Sequence, residues 1–315
     1  MPNKIKNFIF DKKLLILMVV FIIIITVVDK KFFSLVNIIN LFSHSAIYGI
    51  LAVGMTILMV SGVFDLSIGA VMALSGIIAI ILQPYGLIIS LIGGLMVGII
   101  VGLINGLLVT YAKIQAFMAT LATMVFVRGI CLSVTSGTSI SSTSESFNQI
   151  YDTYFFNIPI VVIYSLIIYL IGWFLLSHTK FGKYSYAIGG NVDSAVLAGI
   201  NVNLYKILYF MFCSFLASVA GIILSSKTTT GSTVLGDDVN LIIISAVVLG
   251  GTSLSGGKGT ILGTFFGVIF FGLVSRSMIY LNISNLYQLI FRGLIILIIV
   301  MLDALAFREK KQYSI

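Results

Sequence analysis

Apolar runs tile the chain from Leu14 to Leu305, interrupted by short clusters of charged, Pro, Asn or Gly residues. Taking those clusters as boundaries predicts ten spans, near 14–29, 44–61, 66–82, 87–110, 115–135, 159–177, 204–225, 239–251, 260–280 and 286–305. The runs approach the roughly 20 residues that cross a bilayer as helix, without the long alternating polar pattern of a barrel. The pattern predicts an all-α polytopic membrane protein, with one membrane domain over residues 1–315 and no separate soluble domain. Two glycine-rich breaks, "SGVFDLSIG" and "GGTSLSGGKG", separate paired spans near 44–82 and 239–280. Each is either an ordinary loop between antiparallel helices or a broken helix. The second kind is tolerated at membrane depth only where protein or a wet cavity covers the freed backbone.

Composition agrees, since 59% apolar against 9% charged residues is far from the roughly one quarter charged of soluble chains. The net charge of +8 implies no nucleic acid here, because basic residues near span ends act as topology signals. With the N-terminus inside, twelve of the eighteen basic residues fall on the cytoplasmic side, among them Lys113, Lys180, Lys183 and Lys258. Lys30, Lys31 and Lys227 fall outside, and Arg128, Arg276 and Arg292 fall within spans. This bias predicts cytoplasmic N and C termini. The basic N-terminus resembles a signal peptide but lacks a small-residue cleavage site, which predicts an uncleaved first span. Cys131 and Cys213 lie in apolar segments without metal-ligand spacing and read as buried, inert thiols.

The run "VVLGGTSLSGGKGT" (247–260) is not a phosphate-binding loop. Thr252 stands where the first glycine of that motif belongs, and Gly259 where its Ser or Thr belongs. It reads instead as a helix connection near the cytoplasmic face, with Lys258 as an interface anchor. Gly94, Gly98, Gly102 and Gly106 recur every four residues, a spacing that bares one helix face for close approach of another helix, in this chain or a second subunit. The longest cytoplasmic loop, about 178–203, carries a helix grammar. Asn191 is an N-cap, Asp193 complements the helix dipole, Ser194 to Ala198 form the body and Gly199 is a stop. Two turns are marginal alone and need a surface to pack on. Ala195, Val196, Leu197 and Ala198 suit a groove on a soluble partner, the alternative being a connector on the membrane interface.

"DSAVLAG" (193–199) resembles the E-A-A-x-x-x-G pattern of ABC importer permeases, with Asp for Glu and Ser for the first Ala. "GMTILMVSGVFDLSIGAVMALSG" (54–76), "GLINGLLVTYAKIQAFMATLATMVFVRGI" (102–130), "FGKYSYAIGGNVDSAVLAGINV" (181–202) and "AVVLGGTSLSGGKGTILGTFFG" (246–267) resemble the ribose-type sugar permeases of ABC importers, in the same order. The resemblance implies a multi-pass subunit of the bacterial plasma membrane that works as a pair of permeases, identical or paralogous. Its partners would be cytoplasmic ATPase subunits, which bind the ATP and Mg, and an extracytoplasmic sugar-binding protein. No cofactor would belong to this chain. It further implies a coupling helix formed by Asn191, Asp193, Ser194, Ala195, Leu197 and Gly199. Substrates across such permeases include ribose, xylose, galactose, allose, autoinducer-2 and, in a related branch, nucleosides.

Polar residues at membrane depth are the candidates for a translocation pathway: Asp65, Asn105, Thr120, Thr123 and Arg128. An intramembrane Arg faces a cavity or a partner. The Thr and Asn side chains serve either interhelical hydrogen bonds or substrate contact. Asp65 either caps the helix that follows, the preferred reading, or lines a gate. Asp237 and Asp238 are outer-loop acids that meet either the binding protein or solvent. A proton-coupled secondary transporter requires acids in mid-span, whereas Asp65, Asp237, Asp238 and Asp303 all fall at expected span ends. An enzyme requires an activated nucleophile or a metal set, and neither H-E-x-x-H nor G-x-S-x-G is present. No catalytic or metal-ligating residue is expected.

Overall fold

A computed structural model describes residues 30–284 without interruption, together with parts of 18–27 and 286–301. The expected spans at 14–29 and 286–305, and the charged termini, therefore lie partly or wholly outside the described residues. Between them the chain is helical almost throughout. α1 covers Leu35–Val60, α2 Ile68–Ile81, α3 Leu87–Thr110 and α4 Ala116–Thr135. A connector then carries β1 (Ile140–Ser141), α5 (Glu145–Asp152) and a hairpin of β2 (Tyr154–Phe155) with β3 (Ile158–Pro159). α6 (Ile160–His178), α7 (Lys180–Gly190), α8 (Val192–Leu197) and α9 (Val202–Thr228) follow. β4 (Thr230–Gly231) returns to pair antiparallel with β1, before α10 (Val239–Leu249) and α11 (Ile261–Tyr280).

α1, α3, α4, α6, α9 and α11 are each long and apolar enough to cross a membrane. The ends of the expected spans between 66 and 280 agree with these helices to within three residues. α1 begins nine residues earlier than expected, because Asn37 and Asn40, read as a break, are carried inside the helix. Two further differences lie in the loops. The 178–203 loop contains α7 as well as the expected short helix, and the 136–158 connector folds into α5 and two strand pairs rather than plain coil.

The bundle is built around α1 and α9. α1 is buried continuously from Gly49 to Val60, and α9 packs against α1, α2 and α3. The glycine row of α3 makes the last contact possible. A Cβ on Gly102 would lie 2.6 Å from Met211 Cα, one on Gly106 2.8 Å from Ile207 Cα, and one on Gly98 would overlap the Ser214 carbonyl. The helix that approaches Gly98, Gly102 and Gly106 is thus α9 of the same chain, while Gly94 lies against both Ile222 of α9 and Ser75 of α2.

Hydrogen bonds sort the connections into two ends. Gly257 N–H donates to the Val60 carbonyl (2.8 Å), and Gly62 packs on Gly189 of α7. α7, α8 and the 250–259 connection therefore share one end, here the glycine-loop end. Gln83 Nε2 donates to Ser142 Oγ (2.9 Å) and Ser142 N–H to the Thr229 carbonyl (2.8 Å), which gathers the opposite, hairpin end.

α2 and α10 reach only one end each. At 1.5 Å per residue they measure about 21 and 16 Å, short of the roughly 30 Å of a hydrocarbon core. α2 ends beside Gln83 at the hairpin end, α10 ends with Gly250 against Gly263 at the glycine-loop end, and their N-termini meet in the interior. Residues 61–67 lead into α2 from the glycine-loop end. Residues 229–238 lead into α10 from the hairpin end and run alongside α2, with Gly231 against Ile77 and Gly236 against Gly69. The counterpart of the "SGVFDLSIG" break is therefore 229–238. The "GGTSLSGGKG" segment is a connection at one end of the bundle.

A Gly102→Val substitution forces α3 and α9 apart and is expected to cost about 1–3 kcal/mol through overpacking. A Gly129→Val control, at a site where a Cβ meets nothing within 4 Å, is expected to be nearly neutral. Thermal denaturation of the purified protein distinguishes them, and equal melting temperatures would contradict the packing assignment.

Candidate functional site

Backbone that leaves a helix inside a membrane must find its partners in protein. Where the two short helices meet, Asn240 supplies them. Its Oδ1 accepts the Gly69 N–H at 2.8 Å and its Nδ2 donates to the Leu66 carbonyl at 2.6 Å. One amide in the first turn of α10 thus closes the first turn of α2. Glycine is required on the other side, since a Cβ at Gly69 would lie 2.9 Å from Asn240 Oδ1 and overlap the Gly236 carbonyl.

Asp65 sits just ahead of this clasp and is fully buried. Its Oδ1 accepts the Ser67 N–H (2.7 Å) and hydroxyl (2.6 Å), and its Oδ2 accepts Ser214 Oγ (3.2 Å) and Asn105 Nδ2 (3.3 Å). Asn105 also donates to Ser67 Oγ at 2.9 Å. These donors are neutral, and the N-terminus of α2 adds its favourable dipole to the carboxylate. The cluster joins the 61–67 segment to α3 and α9. Asp65 was expected at a span end. It lies within the bundle instead, because residues 61–67 are non-helical and carry the chain inward before α2 begins. It does satisfy the Ser67 N–H, as the capping reading required, although Ser67 itself is the residue at the N-cap.

Arg128 of α4 does have a partner. Its guanidinium pairs with Asp237 (2.6 Å) and donates to the Thr233 carbonyl, so that two contacts hold the 229–238 segment to α4. Asp237, expected to meet a binding protein or solvent, is half exposed and engaged in this pair. Thr120 and Thr123 are buried, and their hydroxyls bond back to the Ala116 and Ala119 carbonyls of their own helix, each at 2.9 Å. The structure therefore brings Asp65 and Asn105 together, ties Arg128 of α4 to the neighbouring 229–238 segment and leaves the two threonines in helix packing.

The glycine-loop end carries α8. Asn191 Oδ1 accepts the Ser194 N–H at 2.8 Å. At the other terminus Gly199 adopts φ +77°, and the Gly199 and Ile200 N–H groups return to the Val196 and Ala195 carbonyls. This is the paired stop of a Schellman motif. Ala195 is buried and anchors the helix, whereas Val196 and Leu197 face outward, Leu197 with 89% of its surface exposed. α8 is presented on α7, and α7 is fastened in turn. Tyr186 Oη donates to the Gly259 carbonyl at 2.6 Å, and a Cβ on Gly189 would overlap the Val60 carbonyl. Burial raises the Tyr186 pKa, which keeps the phenol protonated as a donor.

Residues 37–300 match the family described as branched-chain amino acid transport system / permease component. The chain belongs to this permease family. The ribose import permease protein of Haemophilus influenzae is 37% identical over 308 residues, 95% of each chain. That of Bacillus subtilis is 40% identical over 282 residues, 88% of each. The xylose transport system permease protein of Escherichia coli K12 is 30% identical over 344 residues, 88% of this chain and 86% of its own. No solved structure matches the chain.

The permease is thus a multi-pass membrane transport subunit, and its geometry concentrates polarity in two places. One is the interior meeting of the two short helices; the other is the α7–α8 end. Asn240, Ser214, Tyr186 and Gly189 escaped the sequence reading. Only Asn240 had a local signal, an amide following "GDD" at the start of a short apolar run.

Removing the Arg128 partner with Asp237→Ala is expected to loosen the segment before α10. A Cys introduced at Ser232 reports on this through its maleimide labelling rate, the native cysteines being buried. The rate rises in the Asp237→Ala background; an unchanged rate would show that the ion pair does not hold the segment.

Proposed function

We propose that this permease is the membrane subunit of an ATP-driven importer for ribose-like monosaccharides. The observation that carries the reading is similarity along nearly the whole chain to permeases named for ribose import, at 34–40% identity. Within Escherichia coli K12 the ribose permease is 34% identical and the xylose permease 30%, which ranks ribose ahead of xylose. In this reading the subunit crosses the membrane ten times with both termini cytoplasmic. It pairs with a second permease, takes sugar from an extracytoplasmic binding protein and couples to ATPase subunits that bind the ATP and Mg. The glycine-loop end is then cytoplasmic, in keeping with Lys113, Lys180, Lys183 and Lys258.

α8 is the element offered to the ATPase, with Leu197 as its apolar knob and Asn191, Asp193, Ser194, Ala195 and Gly199 holding its shape. Force on α8 passes to α7 and then, through Tyr186 and Gly189, to the 250–259 connection and the end of α1. From there it reaches the 61–67 segment, where Asp65 and Asn105 lie. Asp65, Asn105, Thr120, Thr123 and Arg128 are assigned to the moving pathway, as residues that hold it rather than as a tight sugar site.

Reconstitution in proteoliposomes with ATPase and binding protein tests the reading. Labelled ribose, xylose, galactose, autoinducer-2 and a nucleoside are offered with and without ATP. ATP-dependent uptake of ribose, with less of xylose, is expected. ATP-dependent uptake of autoinducer-2 or the nucleoside alone would replace the substrate, and uptake driven by a proton gradient would replace the mechanism.

Leu197→Asp is expected to weaken ATPase binding by about 2 kcal/mol or more, roughly thirtyfold. Unaltered affinity in a co-purification titration would remove α8 from the interface. Tyr186→Phe leaves that surface intact and removes one hydrogen bond worth about 1 kcal/mol. It should lower the sugar moved per ATP without changing ATPase affinity, and an unchanged ratio would exclude the Tyr186 route.

A further inference from the structure

The connector between α4 and α6 ends in a hairpin whose side chains the bundle does not cover. β2 and β3 pair Tyr154 with Pro159 and Phe155 with Ile158, leaving Phe156 and Asn157 as a two-residue turn. Both turn residues have positive φ, +47° and +62°, the pattern of a type I′ turn. Asn adopts that region readily, whereas a bulky Phe there is an outlier. Phe156 is also the most exposed aromatic side chain among the described residues, with 85% of its surface free, and Tyr154, Phe155 and Ile158 are exposed beside it. The Phe155 and Phe156 rings meet edge to face at 4.7 Å.

This cluster is fastened to α6 without a linker. Pro159 is buried, ends β3 and stands at the N-cap of α6, and the Ile160 N–H returns to the Thr153 carbonyl at 2.9 Å. The 19 residues of α6 rise about 28 Å, close to the roughly 30 Å of a hydrocarbon core. A helix of that length begins at the boundary between lipid chains and headgroups. The hairpin is therefore held at headgroup level, the depth at which aromatic side chains are enriched. No Lys, Arg, Asp or Glu occurs from Thr153 to Thr179, so the apolar surface of the hairpin continues into that of α6, where Leu166, Ile167, Leu170 and Ile171 are exposed. A docking site for a soluble protein carries a polar rim around its apolar core, which this surface lacks on the α6 side.

We propose that the 154–159 hairpin is a membrane anchor, seating Phe155, Phe156 and Ile158 among the headgroup ends of the lipid chains. Phe155 and Ile158 are directly opposed across the strands and so share one face, and the turn adds Phe156 beside them. Seating them there removes apolar surface from water. It also fixes the depth of α6, whose other end leads into α7 and α8.

The protein has one tryptophan, Trp173, so Phe156→Trp in a Trp173→Phe background gives a single fluorescent reporter at the turn. The full-length permease is reconstituted in phosphatidylcholine vesicles with iodide on both sides of the membrane. The emission is expected to be blue-shifted, and quenched several-fold more strongly by lipids brominated near the glycerol end of the chain than by iodide. Phe155→Trp in the same background repeats the measurement from the strand and needs no left-handed backbone at the reporter. Quenching by iodide but not by brominated lipid would place the hairpin in water and overturn the anchor. Quenching by neither would put a protein surface over the hairpin and overturn it equally.

Discussion

Two helices that stop halfway through a membrane leave backbone groups that neither water nor lipid can satisfy, and the fold depends on how those groups are met. Asn240 meets them for α2 by accepting from Gly69 and donating to Leu66. Each unsatisfied group in hydrocarbon would cost several kcal/mol, so this one side chain holds the non-helical 61–67 and 229–238 segments together. The aspartates ahead of each short helix follow from the same geometry. Asp65 precedes the N-terminus of α2 and Asp237 that of α10, where the helix dipoles favour negative charge. Their environments nevertheless differ. Asp65 is enclosed by Ser67, Asn105 and Ser214, whereas Asp237 reaches across to Arg128.

Around that meeting close backbone approach adds to the packing of large buried side chains such as Ile50, Leu51, Met55 and Phe210. The glycine row of α3 lets α9 settle against it, and glycines at 62, 189, 256 and 257 bring α7, the end of α1 and the 250–259 connection together. Such contacts transmit displacement well because little soft side-chain volume lies between the backbones. The segment that leads to the clasp therefore begins at the point where α7 presses on α1. An exposed apolar helix at one end and a buried polar meeting in the interior are joined through a few residues.

Much of this was legible in the sequence, for identifiable reasons. Apolar runs locate the long helices because the bilayer sets their length, and the Asn191-to-Gly199 grammar locates α8 because its cap and stop are local chemistry. α7 was hidden because "KFGKYSYAIGG" lacks an apolar period long enough to stand out and is stabilised by packing at Gly182, Ser185 and Ile188. The break before α10 was hidden because "TTGSTVLGDD" reads as an ordinary outer loop, and only its contacts with α2 place it inside. Asp65 and Arg128 were flagged by charge at depth, and Ser67, two residues beyond Asp65, was within reach of the capping reading; Ser214 and Asp237, 149 and 109 positions away in sequence, lie beyond any local pattern. Thr120 and Thr123 were flagged by polarity, which their own helix absorbs.

The central claim is that Asn240 of α10 closes the first turn of α2 and so ties the two half-helices into one unit. Amide hydrogen exchange on the permease and its Asn240→Ala variant in nanodiscs measures this most directly. If the clasp is shared, exchange rises together across 62–70 and 230–242 while α3 and α9 stay protected. A rise confined to the start of α10, with 62–70 unchanged, would contradict it.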